Sequence, residues 1–294
     1  MRTLKTAESA RAAARGLARP LGLVPTMGAL HAGHRSLLDR ARRENESVAA
    51  SLFVNPLQFG PDEDYSRYPR SFESDAAQFE SVGIELLYAP SVDEMYPPSF
   101  STSVVVGEIG RTFEGAVRRG HFAGVATVVA KLLNAIEPTR LYLGQKDIQQ
   151  TAVLRRMVRD LDLAVEIVVC PTVRESDGLA LSSRNSYLDE LQRVAAPSFH
   201  RALAALAESI ERGADSNAAL TAARLLLEPP LSWEYLAVID PLTFELHEKL
   251  RRPALVIGAV RAGSTRLIDN VVVKAADGVD PILTPPLLQA AGRG

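Results

Sequence analysis

Pro25-Thr-Met-Gly-Ala-Leu-His-Ala-Gly-His34 is the stretch whose reading decides the fold. A short apolar run, Leu21 to Val24, leads into it, and a run with helical spacing, His34 to Asn45, leads out. A buried strand that ends in a glycine-containing turn and passes at once into a helix is the repeating unit of parallel α/β sheets. Such sheets bind ligands at the carboxyl ends of their strands. The first backbone N–H groups of a helix have no partner inside it, and the macrodipole places partial positive charge there. Phosphate is the natural guest. His31 and His34, with Gly33 between them, would face it.

The same pattern recurs on both sides. Val48 to Val54 is a continuous apolar run that suits a strand buried on both faces, and it stops at Asn55-Pro-Leu-Gln-Phe-Gly60. Asn55 and Gln58 thereby fall at the same sheet end as His31. Ile84 to Tyr88, Leu141 to Leu143 and Val165 to Cys170 read as the third to fifth strands. Helical runs lie at 7–18 and 75–83, from Val125 through Ile136 to the stop at Pro138, and from just after Asp147 to about Asp160. Between the third strand and Val125 lies a loop-rich stretch of roughly 30 residues holding Arg118-Arg-Gly-His-Phe-Ala-Gly124, a length more often functional than idle. Strands alternating with helices require a parallel sheet with right-handed crossovers. The expected fold class is α/β, a Rossmann-like doubly wound parallel sheet, with polar motifs clustered on its carboxyl edge.

Beyond Asn185 the pattern changes. Alanine- and leucine-rich helices at 189–212 and 216–227 precede β-like runs at Trp233–Ile239, Ala254–Val260 and Thr265–Val273. The last two are joined by Arg261-Ala-Gly-Ser264, a hairpin signal. A second, smaller α+β domain is expected, with the boundary between 172 and 186, giving domains 1–174 and 175–294. The tail from about Ala275 has prolines and no period and is expected to be mobile.

Composition limits the partners. The chain has 294 residues, 47% hydrophobic, with a net charge of −2. That is a globular balance with no net field to attract nucleic acid. Cys170 is the one cysteine, so no internal disulfide forms, which fits a reducing cytoplasm. Met1 to Lys5 lacks an apolar signal core, and no apolar run approaches the roughly 20 residues of a membrane span. A cytoplasmic location without membrane partners is expected.

Each motif has a bland reading beside the chemical one. His31-Ala-Gly-His34 is either a nucleotide site, in which fixed donors meet charge developing on an α-phosphate, or a capped surface helix with solvated imidazoles. A zinc site is a poor third option with a single cysteine and remote other histidines. Ser182-Ser183-Arg184 offers two hydroxyls and a guanidinium to phosphates on a flexible loop, or is an ordinary turn. Lys146 and Asp147 follow a strand: lysine suits phosphate and aspartate suits ribose or a magnesium shell, while the alternative is an exposed turn with an Asp147 cap. Gln58 and Gln150 are neutral amides able to donate to a carboxylate, or solvated surface. His121 reads as a structural hydrogen bonder, and His200 and His247 as surface residues.

Together these segments resemble the pantothenate synthetase (pantoate–β-alanine ligase) family of the His-x-Gly-His nucleotidylyltransferase superfamily. The likeness rests on Val24 to His34, Phe53-Val-Asn-Pro-Leu-Gln-Phe59, His121-Phe-Ala-Gly-Val125, Gly144-Gln-Lys-Asp147 with Gln149-Gln150, Asp177-Gly-Leu-Ala-Leu-Ser-Ser-Arg-Asn185 and Leu267-Ile-Asp-Asn270. It departs at Gln145, where the family usually has glutamate. The resemblance implies ATP-dependent formation of pantoyl adenylate, then capture by β-alanine to give pantothenate and AMP. It places Met27, Gly28, Ala29, Leu30, His31, Ala32, Gly33, His34, Gly144, Gln145, Lys146, Asp147, Val173, Leu181, Ser182, Ser183 and Arg184 on ATP. Of these, His34, His31, Lys146, Ser182, Ser183 and Arg184 would act in catalysis. Gln58 and Gln150 would hold pantoate, and Gln58 would serve β-alanine too. Mg2+ is expected with ATP, with Asp75 as the candidate neighbour. A homodimer with the smaller domain as lid is implied. Another adenylate-forming enzyme or a non-catalytic nucleotide sensor are the competing readings; a tRNA synthetase lacks support in the −2 charge.

Overall fold

Apolar runs that alternate with amphipathic helices build a sheet covered on both sides. The structure, a computed structural model, describes residues 1–294 except 62, 215, 242, 248–252, 275–277, 279, 281 and 283–294. The chain divides into two compact units, Met1–Val173 and Arg174–Gly294.

The first unit contains β1 (Arg2–Leu4), α1 (Ala7–Arg15), β2 (Leu21–Thr26), α2 (Ala32–Glu44), β3 (Ser47–Leu52), α3 (Phe72–Val82) and β4 (Leu86–Tyr88). It continues with α4 (Val92–Met95), α5 (Glu114–Val117), α6 (His121–Ile136), β5 (Arg140–Gly144), α7 (Ile148–Asp160) and β6 (Glu166–Cys170). The six strands are parallel in the order β1-β4-β3-β2-β5-β6. Successive strand residues face opposite sides. Leu21, Leu23, Leu141 and Leu143 join α1, α6 and α7 in one core layer. Val24, Val48, Ala50 and Tyr142 join α2 and α3 in the other.

Three differences from the sequence reading have physical causes. The sheet has a sixth strand: Arg2–Leu4 pairs with Leu86–Tyr88 at the edge, too short to show a period of its own. Helix α6 begins at His121, not Val125, entered through left-handed Gly120 at φ 82°. The expected loop before it contains α4 and α5, each a single turn.

The second unit packs α8 (Glu190–Ala195), α9 (Pro197–Glu211) and α10 (Ser216–Leu225) with the antiparallel sheet β7 (Leu231–Ile239), β8 (Ala254–Ala262) and β9 (Thr265–Val273), ordered β7-β8-β9. Its core includes Phe199, Leu203, Leu206, Val256, Val260 and Leu267. The helix expected over 189–212 is two helices, because Pro197 has no N–H to continue the first and is at home at the start of the second. The tail expected to be mobile from Ala275 lies almost wholly outside the described residues. Among the described residues no helix is long and apolar enough to cross a membrane.

Candidate active site

Strands β2 and β5 are neighbours, with Gly22 opposite Arg140 and Leu23 opposite Leu141. From β2 the chain runs outward through β3 and β4; from β5 it runs the other way to β6. The helices that follow, α2 and α7, leave toward opposite faces of the sheet. This reversal of strand order opens a crevice at the carboxyl edge, the usual ligand position of a doubly wound sheet.

The turn from β2 into that crevice is strained. Gly28 has φ 89° and Ala29 has φ 52°. The left-handed region costs a side-chain-bearing residue roughly 1–2 kcal/mol. Asp75, at the first turn of α3 and 1% exposed, offsets that cost. Its Oδ2 accepts the N–H of Ala29 and its Oδ1 that of Leu30, both at 3.0 Å. A Cβ on Gly28 would lie 2.8 Å from Asp75 Oδ2. In Asp75, the candidate magnesium neighbour, both oxygens are engaged by backbone N–H groups, and the buried carboxylate shapes the turn. Among the described residues no group of three or more His, Cys, Asp or Glu could hold a metal ion.

Helix α2 starts at Ala32, two residues earlier than the sequence pattern suggests, so His31 is its N-cap and His34 its third residue. His31 Nδ1 accepts the Gly33 N–H at 3.1 Å, and His34 Nδ1 accepts the His31 N–H at 3.3 Å. This is a capping box built from imidazoles. Because each Nδ1 is an acceptor, the network assigns the proton of each neutral ring to Nε2, leaving two N–H donors with ring centroids 4.2 Å apart. Burial, then the neighbouring His31 and the charge of Lys146, pull the His34 pKa down to about 3. Burial and Lys146 also lower that of His31. The rings are therefore neutral donors at pH 7. The capped-helix reading and the nucleotide reading describe the same residues, since capping uses Nδ1 and leaves Nε2.

Lys146 and Asp147 approach this pair from β5. After Gly144 the chain makes a short 3-10 helix, Gln145–Asp147, and enters α7. Asp147 occupies the N-cap position without a side-chain capping bond. Its Oδ1 lies 3.4 Å from Lys146 Nζ. Both charges act on both histidines, which places the four groups in one crevice.

Gln58 closes the third side. It lies on a 3-10 helix, Pro56–Gln58, capped by buried Asn55. Asn55 Nδ2 donates to Gln58 Oε1 at 3.0 Å, which fixes the amide orientation and turns Nε2 toward Met27 Sδ, 3.1 Å away. The Gln58 carbonyl accepts from His121 Nδ1 at 2.7 Å and Arg118 Nη2 at 3.2 Å. Arg118 is in turn paired with Glu63 at 2.6 Å. His121 thus makes a structural bond, as its sequence context suggests. Burial and Arg118 pull its pKa down to about 4. Helix α6 approaches so closely that a Cβ on Gly124 would fall 2.2 Å from the Leu57 carbonyl oxygen. Gln150 is half-buried on α7, while Gln149 is buried and spent on Ile109, Thr112 and Glu114. A cavity of about 260 Å³ lies against Met27 and Asp75, with Phe53, Tyr65, Arg70 and Phe72 in its wall.

The structure thus gathers Met27 to His34, Gln58 and Gly144 to Asp147 at one edge of the first unit, which ends at Val173. Leu181, Ser182, Ser183 and Arg184 belong to the second. There the expected flexible loop is a short 3-10 helix, Ser183–Tyr187, whose cap Ser182 Oγ accepts the Arg184 N–H at 3.3 Å. His200, read as a surface residue, instead lies beside buried Asp269, its Nδ1 3.3 Å from the carboxylate. Sequence reasoning missed Arg118, Glu63 and Asp75 as supports. Only their partners reveal them, because each is an ordinary polar residue in a turn-rich stretch or a first helical turn.

Comparison with known proteins gives a family model, curated relatives and solved structures that span most of the chain. The family model described as Pantoate-beta-alanine ligase matches residues 1–272. The pantothenate synthetase of Chloroflexus aurantiacus is 54% identical over 254 residues, covering 85% of this chain and 90% of the relative. The crystal structure of pantothenate synthetase from Thermus thermophilus superposes with a TM-score of 0.89 at 51% identity, covering 94% of this chain and 100% of that one. The pantoate-beta-alanine ligase of Francisella tularensis, solved with beta-gamma ATP and beta-alanine, gives a TM-score of 0.76 at 32% identity, over 93% of this chain and 98% of that one.

Proposed function

The chain belongs to the pantoate–β-alanine ligase family, and on that premise we propose how its residues divide the work of the reaction. The enzyme condenses pantoate with β-alanine, driven by ATP, to give pantothenate. The pantoate carboxylate attacks the α-phosphorus of ATP. A new O–P bond forms, the bond to the β-phosphate breaks, and pyrophosphate leaves with the electron pair. The amine of β-alanine then attacks the acyl carbon of pantoyl adenylate, forming the C–N bond; AMP leaves and the nitrogen loses a proton. The two steps replace a poor acyl donor, the free carboxylate, with a mixed anhydride.

His34 and His31 donate Nε2–H bonds to the phosphates, His34 at the α-phosphate where charge grows, and Lys146 adds a positive charge there. Donors held in place by the backbone need no reorganisation as the transition state forms. The adenosine lies along Met27 to Gly33 and Gly144 to Asp147, with Val173 beside it. Gln58 and Gln150 hold the pantoate hydroxyls and carboxylate, and Gln58 also meets β-alanine. Ser182, Ser183 and Arg184, with Leu181, reach the β- and γ-phosphates from the smaller unit, which acts as a lid. Mg2+ would arrive with the ATP substrate, its ligands mostly phosphate oxygens and water. The enzyme works in the cytoplasm as a homodimer.

The observation that carries this reading is the pair of neutral imidazoles with Lys146 at the sheet's reversal point, beside an amide whose donating end is preset. Pyrophosphate release from ATP tests it. Pantoate alone should support a single burst, and AMP should follow only when β-alanine is added. A burst with another acid but not with pantoate would reject the substrate assignment, and none with any acid would favour a sensor.

A further inference from the structure

The segment Leu267-Ile-Asp-Asn270 touches none of the steps above, yet it buries a carboxylate completely. Asp269, on β9, has a side chain only 2% exposed. Arg174 grips it with both arms of its guanidinium, Nη1 to Oδ2 at 2.6 Å and Nη2 to Oδ1 at 3.0 Å. The Asn270 N–H donates to Oδ1 at 2.8 Å, and His200 Nδ1 lies 3.3 Å from Oδ2. Burial alone would raise the pKa of this carboxyl; the contacts with His200 and Arg174 outweigh it and hold the group ionised.

Arg174 is also the first residue of the segment that leads to Ser182–Arg184. Its guanidinium donates to the Gly178 carbonyl at 3.2 Å, across a tight loop. Arg174 bridges Ala180, the Glu175 N–H meets the Leu179 carbonyl at 2.8 Å, and the Leu179 N–H meets Asp177 Oδ1 at 3.0 Å. Leu179 and Ala180 are buried. From α8, Arg193 reaches Asp177 at 2.6 Å and Glu175 at 2.5 Å. Asn185 Nδ2 ties the far end back to Glu175 Oε1 and the Ala180 carbonyl, both at 3.1 Å. The stretch Leu181–Arg184 is therefore bracketed on both sides by groups whose positions lead back to Arg174.

A buried ion pair is a weak source of net stability, because desolvating two charges cancels much of their attraction. What a two-armed guanidinium–carboxylate contact supplies is fixed direction. We propose that Asp269, acting through Arg174, is a positioning residue that sets the placement of Ser182, Ser183 and Arg184 on the phosphates of ATP. This rests on the reading of those three residues as phosphate-binding.

The test compares Asp269→Asn, Arg174→Lys and Arg184→Ala in the full-length enzyme. The measurements are pantoate-dependent pyrophosphate release, KM for ATP and for pantoate, and the thermal unfolding midpoint. Misplacing a group by about 1 Å lowers rates roughly a hundred-fold. Asp269→Asn and Arg174→Lys should lower adenylation kcat or raise the ATP KM by about 10- to 100-fold in total. The pantoate KM should stay within about twofold, since Gln58 and Gln150 lie in the other unit. Arg174→Lys keeps the charge and loses the fork, so it decides the matter if Asp269→Asn does not fold. A lower midpoint with wild-type kinetic constants in the folded variants would make the pair merely structural and overturn the proposal. If Arg184→Ala keeps wild-type adenylation, the phosphate reading falls and takes the proposal with it. A crippled Arg184→Ala beside unaffected Asp269→Asn and Arg174→Lys overturns the proposal alone.

Discussion

Asp75 Oδ2 accepts the backbone N–H of Ala29 at 3.0 Å, joining the first turn of α3 to the strained turn ahead of His31. The two oxygens of one buried carboxylate thus hold two successive N–H groups where Ala29 sits at φ 52°. Asp75→Ala removes both acceptors. Leaving a buried N–H unpaired costs about 1–3 kcal/mol, and the turn gains a reason to relax. The expected result is a stability loss of about 2–4 kcal/mol in urea unfolding, with adenylation falling at least about tenfold. Wild-type pyrophosphate release by the folded variant would show that the turn keeps its shape unaided.

His34→Ala should abolish adenylation while the unit stays folded. The imidazole takes the His31 N–H through Nδ1, so its removal costs α2 one capping bond, about 1 kcal/mol. Loss of a preset donor to a developing charge is worth about 100- to 1000-fold in rate. Single-turnover pyrophosphate release and a circular dichroism melt separate the two effects. A normal burst would remove His34 from the chemistry.

Gly124→Ala puts a Cβ 2.2 Å from the Leu57 carbonyl oxygen, and a backbone atom cannot swing aside as a side-chain tip can. Overpacking of this kind costs about 1–3 kcal/mol or more. Relief comes from shifting the Pro56–Gln58 turn, so the pantoate KM should rise while the ATP KM changes little. Equal rises in both would argue that Gln58 does not serve pantoate selectively.

Acid should destabilise the first unit before its carboxylates titrate. His34 and His121 have pKa values of about 3 and about 4 in the folded protein, against 6.5 for an unperturbed histidine. Between those limits the unfolded chain binds more protons than the folded one, so stability falls as pH drops below 6.5. His121, buried beside Arg118, contributes roughly 2 kcal/mol of loss by pH 5. Urea midpoints taken from pH 7.5 to 5 should decline, and His121→Asn should flatten the slope. An unchanged slope in that variant would place the titration elsewhere.

The sequence makes the sheet legible wherever a strand is buried on both faces. Val48–Val54 and Val165–Cys170 announce themselves as apolar runs, and the chemistry follows at their carboxyl ends. Arg2–Leu4 does not announce itself, because three residues against Leu86–Tyr88 gain their identity from the partner strand. The site shows the same division. His31, His34 and Lys146 are readable from type and spacing. The tasks of Asp75, Asn55 and Arg118 are not, because they are hydrogen bonds to backbone and amide groups brought near by folding. His200 is hidden for the same reason, its neighbour Asp269 arriving from a strand much further along the chain.

The pairing of Gly22 with Arg140 and Leu23 with Leu141 carries a consequence for how activity is acquired. These contacts close the longest loop within the parallel sheet, and contacts so distant in sequence form slowly. Until they form, the histidine turn and Lys146 have no common edge, even if every helix is already present. Recovery of adenylation during refolding is therefore a clock for β2–β5 closure, and it should lag the return of helical signal.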